Sequence, residues 1–229
     1  MQADTLTSST TTTSAMSPPR YIVIEGPIGV GKTTLCRKLA ETFNYNVLLE
    51  AAEKNPFLEG FYRTPKKMAL QTQLFFLMQR VQQLESLRQD DLFEPSQVAD
   101  FLIEKDQLFA QLTLDDNEFR LYDQIYQHLT IDAPSPNLVI YLQAPANTLM
   151  HRIQKRGIAY EQYIKLEYLQ NLNEAYAKLF HYYDAAPLLI VNSANIDPIH
   201  NEQDYQELVK LILQHPGGRT FFNPSSNRL

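Results

Sequence analysis

The run Gly26-Pro27-Ile28-Gly29-Val30-Gly31-Lys32-Thr33 constrains this chain more than any other feature. It fits the pattern G-x-x-x-x-G-K-[ST], which requires a strand before it and a helix after it. Both are legible. Tyr21–Glu25 is an apolar, β-branched run, and Leu35, Leu39 and Phe43 recur every four residues beyond the loop. Three of the seven glycines in the chain fall in this loop, where the backbone must curl so that its N–H groups point inward. Such a loop at a helix N-terminus cradles phosphate oxygens. Gly26, Gly29, Gly31, Lys32, Thr33 and Thr34 are therefore candidate nucleotide-binding residues. Lys32 would reach the β- and γ-phosphates, and the Thr33 hydroxyl would face Mg²⁺. The expected donor is ATP or another nucleoside triphosphate.

Composition bounds the partners. The chain has 229 residues, enough to bury a sizeable core. Its net charge of −6 and pI near 5.4 argue against a nucleic-acid-binding surface. No apolar stretch is long enough to span a bilayer, so no membrane partner is expected. The single cysteine, Cys36, excludes an intrachain disulfide and reads as a packing residue beside Leu35 and Leu39. A cytoplasmic setting is expected. Residues 1–19 are a different material, dominated by Thr and Ser and closed by Pro18-Pro19. A segment so poor in apolar residues cannot offset its ordering entropy, and a disordered tail is expected there. Met16, just ahead of the first strand, is a second candidate for the start of translation. Residues 20–229 form the expected folded domain.

Five apolar runs read as strands: Tyr21–Glu25, Asn46–Glu50, Ser96–Asp100, Asn137–Leu142 and Leu188–Asn192. Helical periodicity occupies Lys32–Phe43, Lys66–Arg88, Gln107–Leu129, Ala146–Arg156, Tyr160–Tyr183 and Glu202–Gln214. Alternating strands and helices predict an α/β fold with a five-stranded parallel sheet and helices on both faces. Gly217-Gly218 and Pro224 predict an irregular C-terminal tail.

Ligands of open parallel sheets bind beyond the carboxyl ends of the strands. Glu25, Glu50 and Asp100 stand at three such ends. Beside a phosphate loop, Glu50 and Asp100 suggest a phosphoryl-transfer centre, with one carboxylate for Mg²⁺ and one for the attacking hydroxyl. On the helix over 66–88, Gln73 and Arg80 fall within the apolar stripe of Leu70, Leu77, Val81 and Leu84. Buried polar groups without partners cost about 1–3 kcal/mol each. Either a polar, planar ligand or an internal salt bridge would supply those partners. Arg152 and Arg156 share a helix face, where they form a clamp for a transferring phosphoryl group or a solvated surface.

Together these pieces resemble the deoxyribonucleoside kinase family, in particular its bacterial deoxyadenosine/deoxyguanosine kinase branch, from about Arg20 to the C-terminus. The carriers are the phosphate loop, Glu50 opening Glu-Ala-Ala-Glu-Lys-Asn-Pro-Phe-Leu, Phe61-Tyr62 with Pro65, and Gln73 followed by Arg80. Asp100 with Leu108-Phe109-Ala110, then Arg152-Ile153-Gln154-Lys155-Arg156-Gly157, then Glu161 and Tyr168-Leu169 complete the ordered set. The resemblance implies a P-loop kinase fold with a small lid and transfer of a phosphoryl group from Mg-ATP to the 5′-hydroxyl of a deoxyribonucleoside, with purines favoured. Glu50 would be the general base, and Asp100 would bind Mg²⁺ and help orient the 5′-hydroxyl. Tyr62 and Glu161 would hold the 3′-hydroxyl. Gln73, Arg80 and Phe109 would surround the base, and Arg152 and Arg156 would belong to the lid. In that family long helices such as those over 66–88 and 107–129 pair two subunits, so the resemblance implies a homodimer; a monomer that buries both faces in its own core is the competing reading.

Three positions depart from the family pattern. Phe101 follows Asp100 where arginine is common, with Lys105 as a replacement charge, while Ile158 stands at a lid cation position and Ala51 at a proline position. A thymidylate-kinase-like nucleotide kinase is the nearest rival; it would need cations near Asp100 for an acceptor phosphate. A non-catalytic nucleotide sensor is the third reading, although pure binding does not require Glu50, Asp100, Lys32 and Thr33 together. The lack of Asn-Lys-x-Asp and Asp-x-x-Gly motifs argues against a GTPase.

Overall fold

The computed structural model describes residues 17–89 (side chains to 85), 96–130, 133–194 and 196–223. Residues 1–16, including Met16, and Pro224 lie outside the described residues, so most of the expected Ser/Thr-rich tail does too.

The apolar runs build a parallel sheet. Its strands are β1 (Tyr21–Glu25), β2 (Asn46–Leu48), β3 (Gln97–Ala99), β4 (Leu138–Gln143), β5 (Leu188–Asn192) and β6 (Arg219–Phe222). The order is β2-β3-β1-β4-β5-β6, and every neighbouring pair runs parallel. The helices are α1 (Lys32–Phe43), α2 (Leu58–Arg63), α3 (Pro65–Gln89), α4 (Lys105–Thr113), α5 (Asp116–Leu129), α6 (Ala146–Arg156), α7 (Leu166–Tyr182) and α8 (Glu202–Leu213).

The two-residue period of a strand sorts side chains to opposite faces. Ile22 and Ile24 of β1 join a core with Leu35 and Leu39 of α1, Leu149 of α6 and Leu208 of α8. Val23, between them, joins a second core with Leu108 of α4 and Leu172 and Tyr176 of α7. Strand β4 repeats the pattern, with Leu138, Ile140 and Leu142 in the first core and Val139 and Tyr141 in the second. A third cluster joins Leu77 and Val81 of α3 to Ala110 of α4 and Tyr122 and Tyr126 of α5.

Four expectations need correction. The sheet has six strands among the described residues, not five, because Arg219–Phe222 pairs with β5 where an irregular tail was expected. Gly217 and Gly218 adopt positive φ angles and turn the chain into that strand rather than ending order. The helix expected over 107–129 is two. Asp115 accepts from the backbone of Asn117 and Glu118 while Glu118 accepts from Asp115, a reciprocal cap that starts α5. The segment expected as one helix over 160–183 opens with a 3₁₀ turn, Ala159–Tyr163, before α7. Strands β2 and β3 stop at Leu48 and Ala99, short of Glu50 and Asp100, where the Glu50 backbone N–H is taken by the Asp100 side chain instead of a neighbouring carbonyl.

Strand β1 sits mid-sheet with β3 and β4 on either side, so the loop leaving it opens at the point where the chain's winding reverses. The loop is tightly fitted. Gly26 has φ +149°, and a Cβ there would lie 2.4 Å from the Leu142 carbonyl oxygen. Only glycine fits.

Candidate active site

A cleft of about 200 Å³ opens at the carboxyl ends of the strands. Of the residues singled out from the sequence, Gly29, Gly31, Lys32, Thr33, Thr34, Glu50, Tyr62, Gln73, Arg80, Asp100, Phe109, Arg156 and Glu161 line it. Gly26 and Arg152 do not. Arg152 donates instead to the carbonyls of Val30 and Ser193, at 3.3 and 3.0 Å, bracing the phosphate loop against the segment after β5.

On the phosphate side, Lys32 donates to the carbonyls of Gly26 (2.7 Å) and Pro27 (3.3 Å), folded onto its own loop. Burial lowers its pKa and Lys105 adds repulsion, while Glu25, Glu50 and Asp100 act against both. The Thr33 hydroxyl donates to Asp100 Oδ2 at 2.5 Å. Asp100 Oδ1 accepts the backbone N–H of Glu50 at 2.7 Å. Thr33 and Asp100 thus form a pair of hard oxygen donors of the kind Mg²⁺ takes.

Glu50 is the centre of an ion cluster. One oxygen pairs with Arg80 and the other with the Lys105 ammonium at 2.6 Å. Burial alone would raise its pKa, but the Arg80 and Lys105 charges outweigh it and hold the carboxyl far below the usual range. Arg80 also pairs with Asp106, which is 1 % exposed. Phe76 and Phe101 flank its guanidinium, with ring centroids 5.0 and 5.9 Å away. The buried arginine on the α3 stripe therefore has an internal salt bridge, and that salt bridge lines the cleft. Gln73 has a weaker partner, Thr113 Oγ1 at 3.4 Å.

At the other end, Arg156 holds Glu161 in a fork, with Nε to Oε2 at 3.1 Å and Nη2 to Oε1 at 2.7 Å. Tyr62 stacks on Tyr160, with ring centroids 6.2 Å apart. Burial, with Tyr168 and Glu161 adding, pushes the Tyr62 hydroxyl well up in pKa, so it stays a donor. Phe109 and Tyr176 meet nearly perpendicular, with ring centroids 6.2 Å apart. Cys36 is buried and donates to the Val98 carbonyl; burial and Asp100 push its thiol up, which keeps it unreactive.

The three departures acquire positions. Phe101 is 1 % exposed and backs Arg80, so it serves the far end of the cleft. Lys105, the first residue of α4, brings its ammonium into the cleft. Ile158 precedes the 3₁₀ turn and lies outside the cleft lining, and the Ala51 carbonyl accepts from Gln79 at 3.4 Å.

Sequence reading missed Asp106. The available signal was a charged pair, Lys105-Asp106, opening a helix that continues with Leu108, Phe109 and Ala110. It also gave Glu25 no definite role. That carboxylate is fully buried and accepts from Gly26 N–H (2.8 Å), Leu102 N–H (2.8 Å) and the Tyr176 hydroxyl (2.9 Å).

This chain is similar to known proteins along most of its length. It matches the family described as deoxynucleoside kinase over residues 22–215. It is 37 % identical to the deoxyguanosine kinase of Bacillus subtilis over 199 residues, covering 84 % of this chain and 96 % of that one. It is 29 % identical to the deoxyadenosine kinase of Lactobacillus acidophilus over 210 residues, covering 84 % and 94 %. The structure of the M. mycoides deoxyadenosine kinase with bound dATP superposes with a TM-score of 0.72 at 25 % identity, covering 83 % of this chain and 97 % of that one.

Proposed function

Because this chain belongs to the deoxynucleoside kinase family, we propose that its cleft phosphorylates the 5′-hydroxyl of a purine deoxyribonucleoside, deoxyguanosine or deoxyadenosine, using ATP or another nucleoside triphosphate. The chain is a phosphotransferase of that family; the assignments to residues and to purines are the proposal. One observation carries the residue assignments. Glu50, Asp100 and Thr33 are joined by two hydrogen bonds into a single unit at the mouth of the phosphate loop.

In this reading the 5′-hydroxyl donates to the Glu50 carboxylate. A carboxylate held far below its usual pKa is a weak base, which suits a loose transition state in which the hydroxyl proton departs late. Its main task is then to aim the hydroxyl oxygen at the γ-phosphorus. Lys32 exchanges its loop carbonyls for β- and γ-phosphate oxygens. Thr33 and Asp100 would hold Mg²⁺, which when bound neutralises charge on the phosphates. Tyr62 donates to the 3′-hydroxyl and Glu161 accepts from it. Gln73 and Phe109 meet the base, with Arg80 and Asp106 beyond them. Arg156 would close over the donor phosphates, and Arg152 would hold the loop that carries them.

Purines are favoured because several relatives similar along most of this chain are named deoxyguanosine or deoxyadenosine kinases. The homodimer and the cytoplasmic setting expected from the sequence belong to the same proposal; among the described residues no helix is long and apolar enough to cross a membrane.

The test is an ATP-coupled panel of the four deoxynucleosides and their 5′-monophosphates. Turnover of deoxyguanosine or deoxyadenosine supports the reading. Turnover of monophosphates alone would assign Lys105 to an acceptor phosphate and make the chain a nucleotide kinase. ATP binding with no turnover of any acceptor would leave the sensor reading.

A further inference from the structure

Four cations line the cleft among the described residues: Lys32, Arg80, Lys105 and Arg156. Two of them are committed elsewhere. Arg80 is shared between the carboxylates of Glu50 and Asp106, and Arg156 is forked onto Glu161. Lys32 belongs to the phosphate loop. Lys105 differs from all three. Its ammonium has three donors. One goes to Glu50 Oε2 at 2.6 Å, and Glu25 Oε2 lies 3.9 Å away, beyond a direct hydrogen bond but close enough to hold the charge in place. The side chain is 4 % exposed, so its position is set by these two carboxylates rather than by water.

The two carboxylates are unlike each other. Glu50 sits at the cleft and its other oxygen is held by Arg80. Glu25 is 0 % exposed and fixed by hydrogen bonds from the phosphate loop, from Leu102 just ahead of α4, and from α7. An acceptor hydroxyl that donates to Glu50 competes with Lys105 for that carboxylate, whereas Glu25 is fully buried and already held by Gly26, Leu102 and Tyr176.

We propose that Lys105 is a catalytic cation whose ammonium turns from Glu50 to the oxygens of the transferring phosphoryl group, and that Glu25 is the positioning residue that keeps the charge there. This rests on the phosphoryl-transfer reading above. The bond that forms joins the acceptor O5′ to the γ-phosphorus, and the bond that breaks joins that phosphorus to the β,γ-bridging oxygen. The hydroxyl proton passes to Glu50 as Lys105 leaves it, and the electron pair of the broken bond stays with the nucleoside diphosphate.

The experiment is steady-state kinetics of the wild-type protein and of Lys105→Gln, Lys105→Arg and Glu25→Gln, with the deoxynucleoside the wild type turns over best. ATP affinity is measured separately on each. For K105Q, kcat should fall by about 10²–10³-fold, as when one donor to a developing charge is removed, with ATP affinity and deoxynucleoside KM changed no more than about threefold. K105R should regain at least about a tenth of wild-type kcat, since charge rather than shape is at stake. E25Q should lower kcat in the same direction without loss of ATP. If E25Q does not fold, the Lys105 pair decides alone. K105Q with near wild-type kcat would overturn the inference, as would equal losses for K105Q and K105R, which would mark a packing role. A wild type inert on every deoxynucleoside would overturn the kinase reading first, and this inference with it.

Discussion

The backbone N–H of Glu50 donates to Asp100 Oδ1 at 2.7 Å, so the residue assigned to the acceptor hydroxyl and the residue assigned to the metal move as one. Their strands are not neighbours of equal length by accident. Both β2 and β3 end just before these residues; Asp100 still donates its backbone N–H to the Leu48 carbonyl at 3.1 Å, and its side chain adds the contact to Glu50. The second Asp100 oxygen takes the Thr33 hydroxyl, which ties the unit to the phosphate loop. In the proposed reading, acceptor, metal and donor positions would be set by one short chain of hydrogen bonds.

Replacing Glu50 with Gln keeps the shape and removes the charge that aims the hydroxyl. We expect kcat to fall by about 10²–10⁴-fold, with ATP binding retained, because the proposed donor contacts run through the phosphate loop, Lys32 and Thr33. Turnover and ATP titration on the same preparation check it. Unchanged turnover would point to the sensor reading.

Glu50 also predicts an acid limb in stability. Its pKa is depressed in the folded protein relative to the ordinary value of 4.5, so the folded state binds fewer protons. The contribution is therefore fully present above about pH 5 and is lost as pH falls below 4.5 toward the folded pKa. Denaturant midpoints between pH 7 and pH 3 should fall for the wild type and fall less steeply for E50Q. Parallel curves would show that the Arg80 and Lys105 pairs are not coupled to folding.

Asp106 is the missed partner of Arg80. Removing one member of a buried pair leaves an uncompensated charge and costs about 3–5 kcal/mol. Asp106→Ala should lower the melting temperature by several degrees. Because Arg80 then answers to Glu50 alone, the ratio of activity on purine to pyrimidine deoxynucleosides should change more than activity on any single one. A large loss of stability with an unchanged ratio would make the pair purely structural.

Helices α3 and α5 pack on each other through Leu77, Val81, Tyr122 and Tyr126, yet Met78 and Leu121 on the same helices remain 51 % and 50 % exposed. Apolar side chains left out on two adjacent helices fit a subunit interface. Light scattering should give twice the 26.4 kDa chain mass, and the double variant Met78→Glu, Leu121→Glu should give the single-chain mass. A wild type of single-chain mass would sink the dimer.

Local chemistry made much of this molecule legible before any fold was known. The glycine loop, the apolar strand before it and the four-residue period after it each state their own geometry, since φ freedom, β-branching and helical repeat are local properties. The carboxylates at strand ends were legible for a related reason: parallel strands deliver their ends to one side. Other elements were not. The break between α4 and α5 depends on a four-residue cap inside an otherwise helical stretch, and β6 is a short strand whose partner lies some thirty residues upstream.

The sequence by itself determined the phosphate loop, the parallel α/β class and the candidate set around Glu50 and Asp100. Tertiary structure alone decided which charges meet. Arg80 and Gln73 share one helix face, but only the packing of α4 against α3 puts Asp106 and Lys105 within reach of Arg80 and Glu50. Ion pairing falls off over a few ångströms, whereas sequence spacing fixes distances only within one element. The same rule separated Arg152 from Arg156: four residues apart on α6, one braces the phosphate loop and the other faces the cleft.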